Sequence, residues 1–416
     1  MTNWAGTVTF DPARVHRPAS VDELRRLVTR SARIRPLGTG HSFSPLVDAP
    51  GDLVTVAGLP PVTDLDTTRD TVTVAAGVRY GELARYLHAA GYALANLASL
   101  PHISVAGAVA TGTHGSGDRT GGLATAVAAL RLVTADGDVV TVRRGEDGFA
   151  GMVVGLGGFG VVTELTLDVV PAYDVRQYVY ENLPFAALDE HFADITGSAY
   201  SVSLFTDWAG PRMTQVWRKH RTDDGTGEPP RTWFGATLAG GSWHPIPGLP
   251  TEHCTEQLGR PGPWYARLPH FRLEHTPSSG DELQSEYLLP REHAVAALTA
   301  LDGIRDRVTP VLQVSEVRTV AADELWLSPS YRRDTVAVHF TWIRDAQAVA
   351  PAMAAVEDAL APFAPRPHWG KLSGIDPATV RRSYPRWPDV VALLRRYDPA
   401  GKFRNDFLDR YLPPAA

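Results

Sequence analysis

Apolar residues along the first 170 or so positions repeatedly change period, from helical to alternating and back. Ser20-Val21-Asp22-Glu23 has the spacing of a capping box, and Val21, Leu24, Leu27 and Val28 share one face, predicting a helix through Arg30. A strand near Arg33 to Leu37 follows, and Leu53 to Ala57 and Thr71 to Ala75 alternate as strands. Tyr80 to Ala90 predicts an amphipathic helix closed by Gly91. Ala128 to Ala135 and Val139 to Arg143 flank Asp136-Gly137, a hairpin turn dipeptide, and Val161 to Leu167 alternates as a further strand. Beyond Pro171 the texture changes to longer strands, aromatic loops such as Pro261-Gly262-Pro263-Trp264-Tyr265, and helices over about Arg291 to Arg307 and Ala346 to Ala361. From Asp376 to Leu412 the chain is helical again, punctuated by Pro385, Pro388 and Pro399. The pattern predicts an α+β protein with a first domain over residues 1–173, a second over 174–374, and a segment over 375–416 that returns to the first.

Composition narrows the class. The 416 residues, 44% of them hydrophobic, suffice for two cored domains. A net charge of −6 without a basic tract argues against nucleic acid as a partner. No apolar run approaches the roughly 20 residues that cross a bilayer, so no membrane contact is expected. Met1-Thr2-Asn3-Trp4 has none of the features of a signal peptide, and the expected location is the cytoplasm. Cys254 is the only cysteine, which rules out an intramolecular disulfide and a thiolate zinc cluster; no metal site is expected. Lysine occurs only at Lys219, Lys371 and Lys402 in a chain otherwise served by arginine, which marks these positions as candidates for a compact, titratable ammonium.

Three glycine-rich segments carry candidate chemistry. Arg35-Pro36-Leu37-Gly38-Thr39-Gly40-His41-Ser42 reads either as a polar turn after a strand or as a clasp whose exposed N–H groups hold a diphosphate beside His41. Gly107 to Gly117 is a second such segment. Gly155-Leu156-Gly157-Gly158-Phe159-Gly160 matches the dinucleotide fingerprint G-x-G-x-x-G, but it leads into a strand where the fingerprint requires a helix, so we read it as a glycine turn. On a strand over Val311 to Thr319, Val314, Glu316 and Arg318 share a face; over Val336 to Trp342, His339 and Thr341 oppose Val338, Phe340 and Trp342. Taken singly, each strand reads as half-exposed, with Glu316 and Arg318 a surface ion pair worth less than about 1 kcal/mol. The competing reading makes these faces a binding site. In Pro365-Arg366-Pro367-His368-Trp369-Gly370-Lys371 two prolines stiffen a loop that presents Lys371, as an exposed cation or as part of a site. No G-x-S-x-G, H-E-x-x-H, Walker A or EF-hand spacing occurs.

Leu37 to Ser42, Ala98 to Gly107, Thr111 to Gly117, Glu316 to Thr319, His339 to Trp342 and His368 to Lys371, in this order, resemble the vanillyl-alcohol oxidase type of flavoprotein. Within that type they are similar to the bacterial alditol oxidases, which act on xylitol and sorbitol and are related to the sugar-1,4-lactone oxidases. The resemblance implies a two-domain FAD-binding fold with a substrate cap built on an antiparallel sheet. It also implies FAD attached covalently through His41 and cradled by Pro36, Leu37, Gly38, Thr39, Gly40, Ser42, Ala98, Ser99, His102, Ser104, Gly107, Ala110, Thr111, Gly112, Thr113, His114, Gly115, Gly157, Gly160, Val162, His368 and Lys371. Substrate binding falls to Ser99, Glu316, Arg318, Thr341 and Lys371, and catalysis to Arg318, Lys371 and His339. The implied reaction oxidises the terminal CH₂OH of an alditol to the aldose by hydride transfer to the flavin, with Lys371 or His339 taking the hydroxyl proton and O₂ becoming H₂O₂. Ala98 would leave oxygen a path. The expected partners are a small polyol and O₂, and the expected state is a monomer; lactone oxidation or a flavin-binding module without turnover are the alternatives.

Overall fold

In the computed structural model, which describes residues 1–275 and 278–413, most of the strands assemble into a three-, a five- and a ten-stranded sheet. Arg14–His16, Asp52–Thr55 and Ile34–Leu37 lie parallel in that order. Thr63–Asp66, Thr71–Ala75, Val161–Asp168, Val127–Val133 and Val139–Arg143 form the antiparallel five. The body of the ten-stranded sheet runs Asp174–Pro184, Arg212–Arg221, Ser201–Thr206, Leu312–Val320, Thr335–Ile343 and Glu282–Pro290, each antiparallel to its neighbour.

Local signals explain most of these elements. Ser20 Oγ accepts from the Glu23 amide and opens the Val21–Arg30 helix, whose Leu24, Leu27 and Val28 are buried. Gly137, at φ +82°, supplies the left-handed position that the Val127–Val133 to Val139–Arg143 hairpin needs. Two expectations are corrected and one element is added. The strand expected to reach Ala57 ends at Thr55 and becomes a 3-10 turn, Val56–Gly58. The helix expected over 291–307 is broken into Ala294–Asp302 and Arg305–Val308, because Ile304, following Gly303, leaves helical geometry at φ −115°. A helix at Phe185–Thr196 was not anticipated, although Leu188, Phe192 and Ile195 stand at helical spacing and are buried.

The helices Phe185–Thr196, Ala294–Asp302 and Ala346–Leu360 cover one face of the ten-stranded sheet, where Leu188, Leu298 and Val356 share a core with Leu204, Val317, Val338 and Phe340. The opposite face is therefore left to the polar residues of the same strands. The C-terminal helices Trp387–Tyr397 and Asp406–Tyr411 contribute Val390, Leu394 and Leu408 to a core shared with Val72, Leu130 and Leu165 of the five-stranded sheet.

One buried cation ties these parts together. Arg35, 1% exposed, donates from Nη1 to the carbonyls of Gly157 (3.1 Å) and Phe403 (2.7 Å) and from Nη2 to those of Leu46 (2.7 Å) and Leu156 (2.8 Å). Burial lowers its pKa to about 10, which still leaves it cationic at neutral pH. Replacing it by methionine strips four buried carbonyls of their donor, and Arg35→Met is expected to lose on the order of 3–5 kcal/mol in urea unfolding. Arg35→Lys, with three donors and no planar fork, should lie between wild type and methionine; equal midpoints for all three proteins would refute this role.

Candidate functional site

The first two glycine loops meet face to face. A Cβ on Gly38 would stand 2.7 Å from Ser104 Oγ and 3.6 Å from Gly107 Cα, and a Cβ on Gly107 2.9 Å from the same oxygen. The missing side chains keep open a long cavity that extends from Val54, Leu130, Leu132 and Leu165 on the two smaller sheets to Glu286, Glu316, Arg318, His339 and Thr341 on the large one. His41 lies along it, stacked on Trp4 with ring centroids 5.4 Å apart, and its Nδ1 is 3.0 Å from Thr39 Oγ1. Burial pushes its pKa down to about 4, so the ring is neutral near pH 7. Among the described residues, His41 Nε2 and Ser104 Oγ are buried without a partner. An apolar end, a middle lined by glycine backbone with unspent polar atoms, and a polar end suit an extended dinucleotide such as FAD.

At the polar end, Glu286, His339 and Glu316 stand directly opposite one another on three adjacent strands. The solvent-facing reading of these strands is overturned: Glu316 is 4% exposed and Arg318 6%, because the loops at residues 38–42 and 98–100 line the same cavity against this face. Burying two carboxylates requires nearby cations. Arg318 Nη2 donates to Glu286 Oε1 (3.2 Å), Nη1 donates to Ser99 Oγ (3.1 Å), and Nε lies 3.4 Å from Glu316 Oε1. Lys371 Nζ donates to Glu286 Oε2 at 2.7 Å and lies 2.9 Å from His339 Nδ1, while His339 Nε2 is 3.1 Å from Thr341 Oγ1. These contacts fix the titration states. Although desolvation alone would raise Glu286, Lys371, His114 and Arg318 hold it well below the usual carboxylate range; Arg318 and His270 do the same for Glu316. Burial lowers Lys371, assisted by Arg318 and opposed by Glu286, and burial with the Lys371 charge brings His339 down to about 3.

Of the residues singled out from the sequence, Pro36 to Ser42, Ala98, Ser99, Ser104, Gly107, Ala110, Thr111, Thr113, His114, Gly157, Gly160, Val162, Glu316, Arg318, His339, Thr341, His368 and Lys371 line this cavity. His102, Gly112 and Gly115 do not. A Cβ on Gly115 would lie 2.2 Å from Asn96 Oδ1, and one on Gly112 would lie 3.1 Å from Pro329 Cδ, so both glycines serve close packing. His102 sits beside the backbone of Leu273 and His275. The reading missed Glu286 and His270, which both line the cavity. Alternation of Gln284 and Glu286 against Leu283, Tyr287 and Leu289 could have revealed the first; nothing local points to the second, a loop residue.

The FAD binding domain family matches residues 12–143. The fold is thus the FAD-binding fold of the vanillyl-alcohol oxidase type, and the chain is a flavin-dependent oxidoreductase. A D-arabinono-1,4-lactone oxidase family matches residues 281–411. An alditol oxidase from a Streptomyces species is 55% identical over 411 residues, 98% of each chain, and an L-gulono-1,4-lactone dehydrogenase of Mycobacterium tuberculosis is 31% identical over 99% of each. Cholesterol oxidase from B. sterolicum superposes with a TM-score of 0.78 over 99% of this chain and 96% of its own, at 16% identity, a likeness of fold. The chain belongs to the alditol oxidase family, to which the sugar-lactone oxidases are related.

Neutral buried histidines make stability depend on pH. His270 and His244 are lowered to about 4 and His339 to about 3 from an ordinary value of 6.5, chiefly by burial. Between those values the unfolded chain binds protons that the folded chain refuses, so stability falls as pH drops through this window. The depressed carboxylates Glu286 and Glu316 add their loss only below about pH 4.5, their ordinary value. The melting temperature is therefore expected to be lower at about pH 5 than at about pH 7; equal values in a calorimetric scan would contradict the burial of neutral imidazoles.

Proposed function

We propose that the protein oxidises the terminal CH₂OH of an alditol such as xylitol or sorbitol to the aldose, with O₂ reduced to H₂O₂ and FAD bound covalently through His41. The observation that carries this reading is the row Glu286, His339 and Glu316, with Arg318 and Lys371, lining the same cavity as the glycine loops. A polyol presents a series of hydroxyls, and fixed donors and acceptors in an apolar cleft discriminate strongly for each one. Glu316 and Thr341 accept from hydroxyls, and Arg318 and Ser99 donate to them. The 55% identical alditol oxidase supports the same substrate class.

FAD, when bound, supplies the two-electron acceptor for the carbinol C–H and passes those electrons to O₂. The chain's part is to manage the hydroxyl proton and the charge that develops on oxygen. Both nitrogens of His339 are engaged, one with Lys371 and one with Thr341. As a neutral amine, Lys371 meets its two contacts with two N–H groups and keeps a lone pair for the substrate hydroxyl. We therefore assign the proton to Lys371, which then faces the product oxygen as an ammonium, while Arg318 stabilises negative charge on that oxygen. Glu286 receives a Lys371 N–H and an Arg318 N–H and so orients both side chains. The neutral His41 ring, with a buried nitrogen unpartnered, has the lone pair that a covalent bond to the cofactor requires. We further propose that the enzyme works as a monomer in the cytoplasm; no helix among the described residues is long and apolar enough to cross a membrane.

Peroxide release on adding xylitol, measured by a coupled peroxidase, tests the reaction, and turnover of L-gulono-1,4-lactone with xylitol inert would transfer the chain to lactone oxidation. Lys371→Ala is expected to lower kcat/KM about 10²- to 10⁴-fold, with partial recovery by a primary amine in the buffer. In wild type the yellow colour should stay with acid-precipitated protein, and in His41→Ala it should pass to the supernatant; release from wild type would refute the covalent bond.

A further inference from the structure

From Glu316 a buried chain of polar groups leads through His270, on the cavity wall, to Lys219, and the catalytic assignment above uses neither. Lys219, 0% exposed, donates from Nζ to the carbonyls of Leu268 (2.5 Å) and Pro269 (3.1 Å), and Nζ lies 3.1 Å from His270 Nδ1. His270 Nε2 lies 2.7 Å from Glu316 Oε1. An ammonium has three donors and no acceptor, so with all three used, His270 Nδ1 must accept and Nε2 must carry the hydrogen. That hydrogen is donated to Glu316. The imidazole cannot easily rotate, since the rings of Trp217 and Phe205 meet it edge to face at 5.1 and 5.6 Å. Among the described residues no hydrogen bond reaches Glu316 Oε2, which leaves that oxygen for a ligand. The same loop holds Ser99, whose carbonyl accepts from the amides of His270 (3.0 Å) and Phe271 (3.3 Å).

We propose that Lys219 and His270 are positioning residues for the substrate: they hold Glu316 ionised, with Oε1 occupied and Oε2 free, and so set the affinity for a polyol's internal hydroxyls. A fully buried lysine that meets no carboxylate directly among the described residues is expensive to keep, and in a chain with three lysines it stands behind the site. Burial brings its pKa to about 7, opposed by Glu316 and aided by Arg318; the nearby Cys254 thiol, pushed up to about 12, stays neutral and does not compete for the ammonium. Loss of the ammonium would free His270 to take the other tautomer, which turns a lone pair toward the Glu316 carboxylate. The site would then lose an acceptor geometry while Arg318, Lys371 and Glu286 kept theirs.

The inference rests on the polyol reading, and the test separates the two. In the FAD-loaded full-length enzyme, His270→Leu should raise the KM for xylitol about tenfold or more while kcat stays within about threefold of wild type, the signature of lost uniform binding. His270→Gln, which can still donate to Glu316, should keep KM within about threefold. A purely structural role would move both variants alike. Equal KM shifts in the two variants, or an unchanged KM in His270→Leu, would overturn the proposal. Should His270→Leu fail to give folded flavoprotein, Lys219→Met carries the same expected rise, and an unchanged KM there overturns the proposal equally. A wild-type enzyme that leaves xylitol unoxidised refutes the function and the inference together; wild-type turnover with flat KM values refutes the inference alone.

Discussion

A guanidinium that meets no carboxylate among the described residues holds the two ends of this chain to its middle. Arg35 gives its hydrogen bonds to the carbonyls of Leu46, Leu156, Gly157 and Phe403, so the strand that delivers the first glycine loop, the glycine turn at 155–160 and the C-terminal segment are set relative to one another by one rigid fork. This also explains why a dinucleotide fingerprint occurs without a Rossmann site. The carbonyls of that turn are occupied by Arg35, and a Cβ on Gly157 would lie 2.9 Å from Pro36 Cγ. Its glycines are required by the approach of the neighbouring strand and by the cavity wall, and the chain then enters Val161–Asp168 as a strand.

The polar end of the cavity depends on a second electrostatic constraint. Two carboxylates cannot be buried on neighbouring strands unless cations compensate them, and two cations cannot be held a few ångströms apart without an anion between them. Glu286 meets both requirements because strand register puts it opposite His339, which is itself opposite Glu316, while Arg318 reaches over from one strand and Lys371 from the 366–371 loop. Arg318 contacts both carboxylates, so removing it leaves Glu286 and Glu316 without their shared cation. The helices on the opposite face free this side of the sheet for polar residues, so the packing that stabilises the ten-stranded sheet also leaves room for the site.

How much of this the sequence revealed follows from the range of each interaction. Alternation identified Glu316, Arg318, His339 and Thr341 as sharing faces, and backbone geometry alone required that result. It could not say whether the face was wet or buried, since the covering loops lie more than 200 residues away: Arg318 donates to Ser99. The same limit hid His270, whose role arises from contacts with Lys219 and Glu316, about fifty residues distant on either side. Glycine spacing marked the first loop, which lines the cavity, and also Gly112 and Gly115, which do not, because a glycine packed against Pro329 or Asn96 looks the same in sequence as one that faces a ligand. The helix forecast across Gly303 failed where apolar periodicity continues through a break in the backbone.

The lysines bring these threads together. Where a chain uses arginine for nearly all its cations, a lysine persists where the planar fork does not fit or a removable proton is needed. Lys402 shows the first reason: its Nζ donates to the carbonyls of Val28, Thr29 and Ala135, which converge on a point. Lys219 meets the same geometry at Leu268 and Pro269, but its third contact is an imidazole nitrogen, so its proton also decides a tautomer. Lys371 faces one carboxylate and one imidazole and retains one position toward the cavity. An arginine there could stabilise an alkoxide but could not accept a proton from a hydroxyl, because its guanidinium stays charged. The proposed division of labour at the site thus follows from acidity: Arg318 would hold charge, and Lys371 would exchange it.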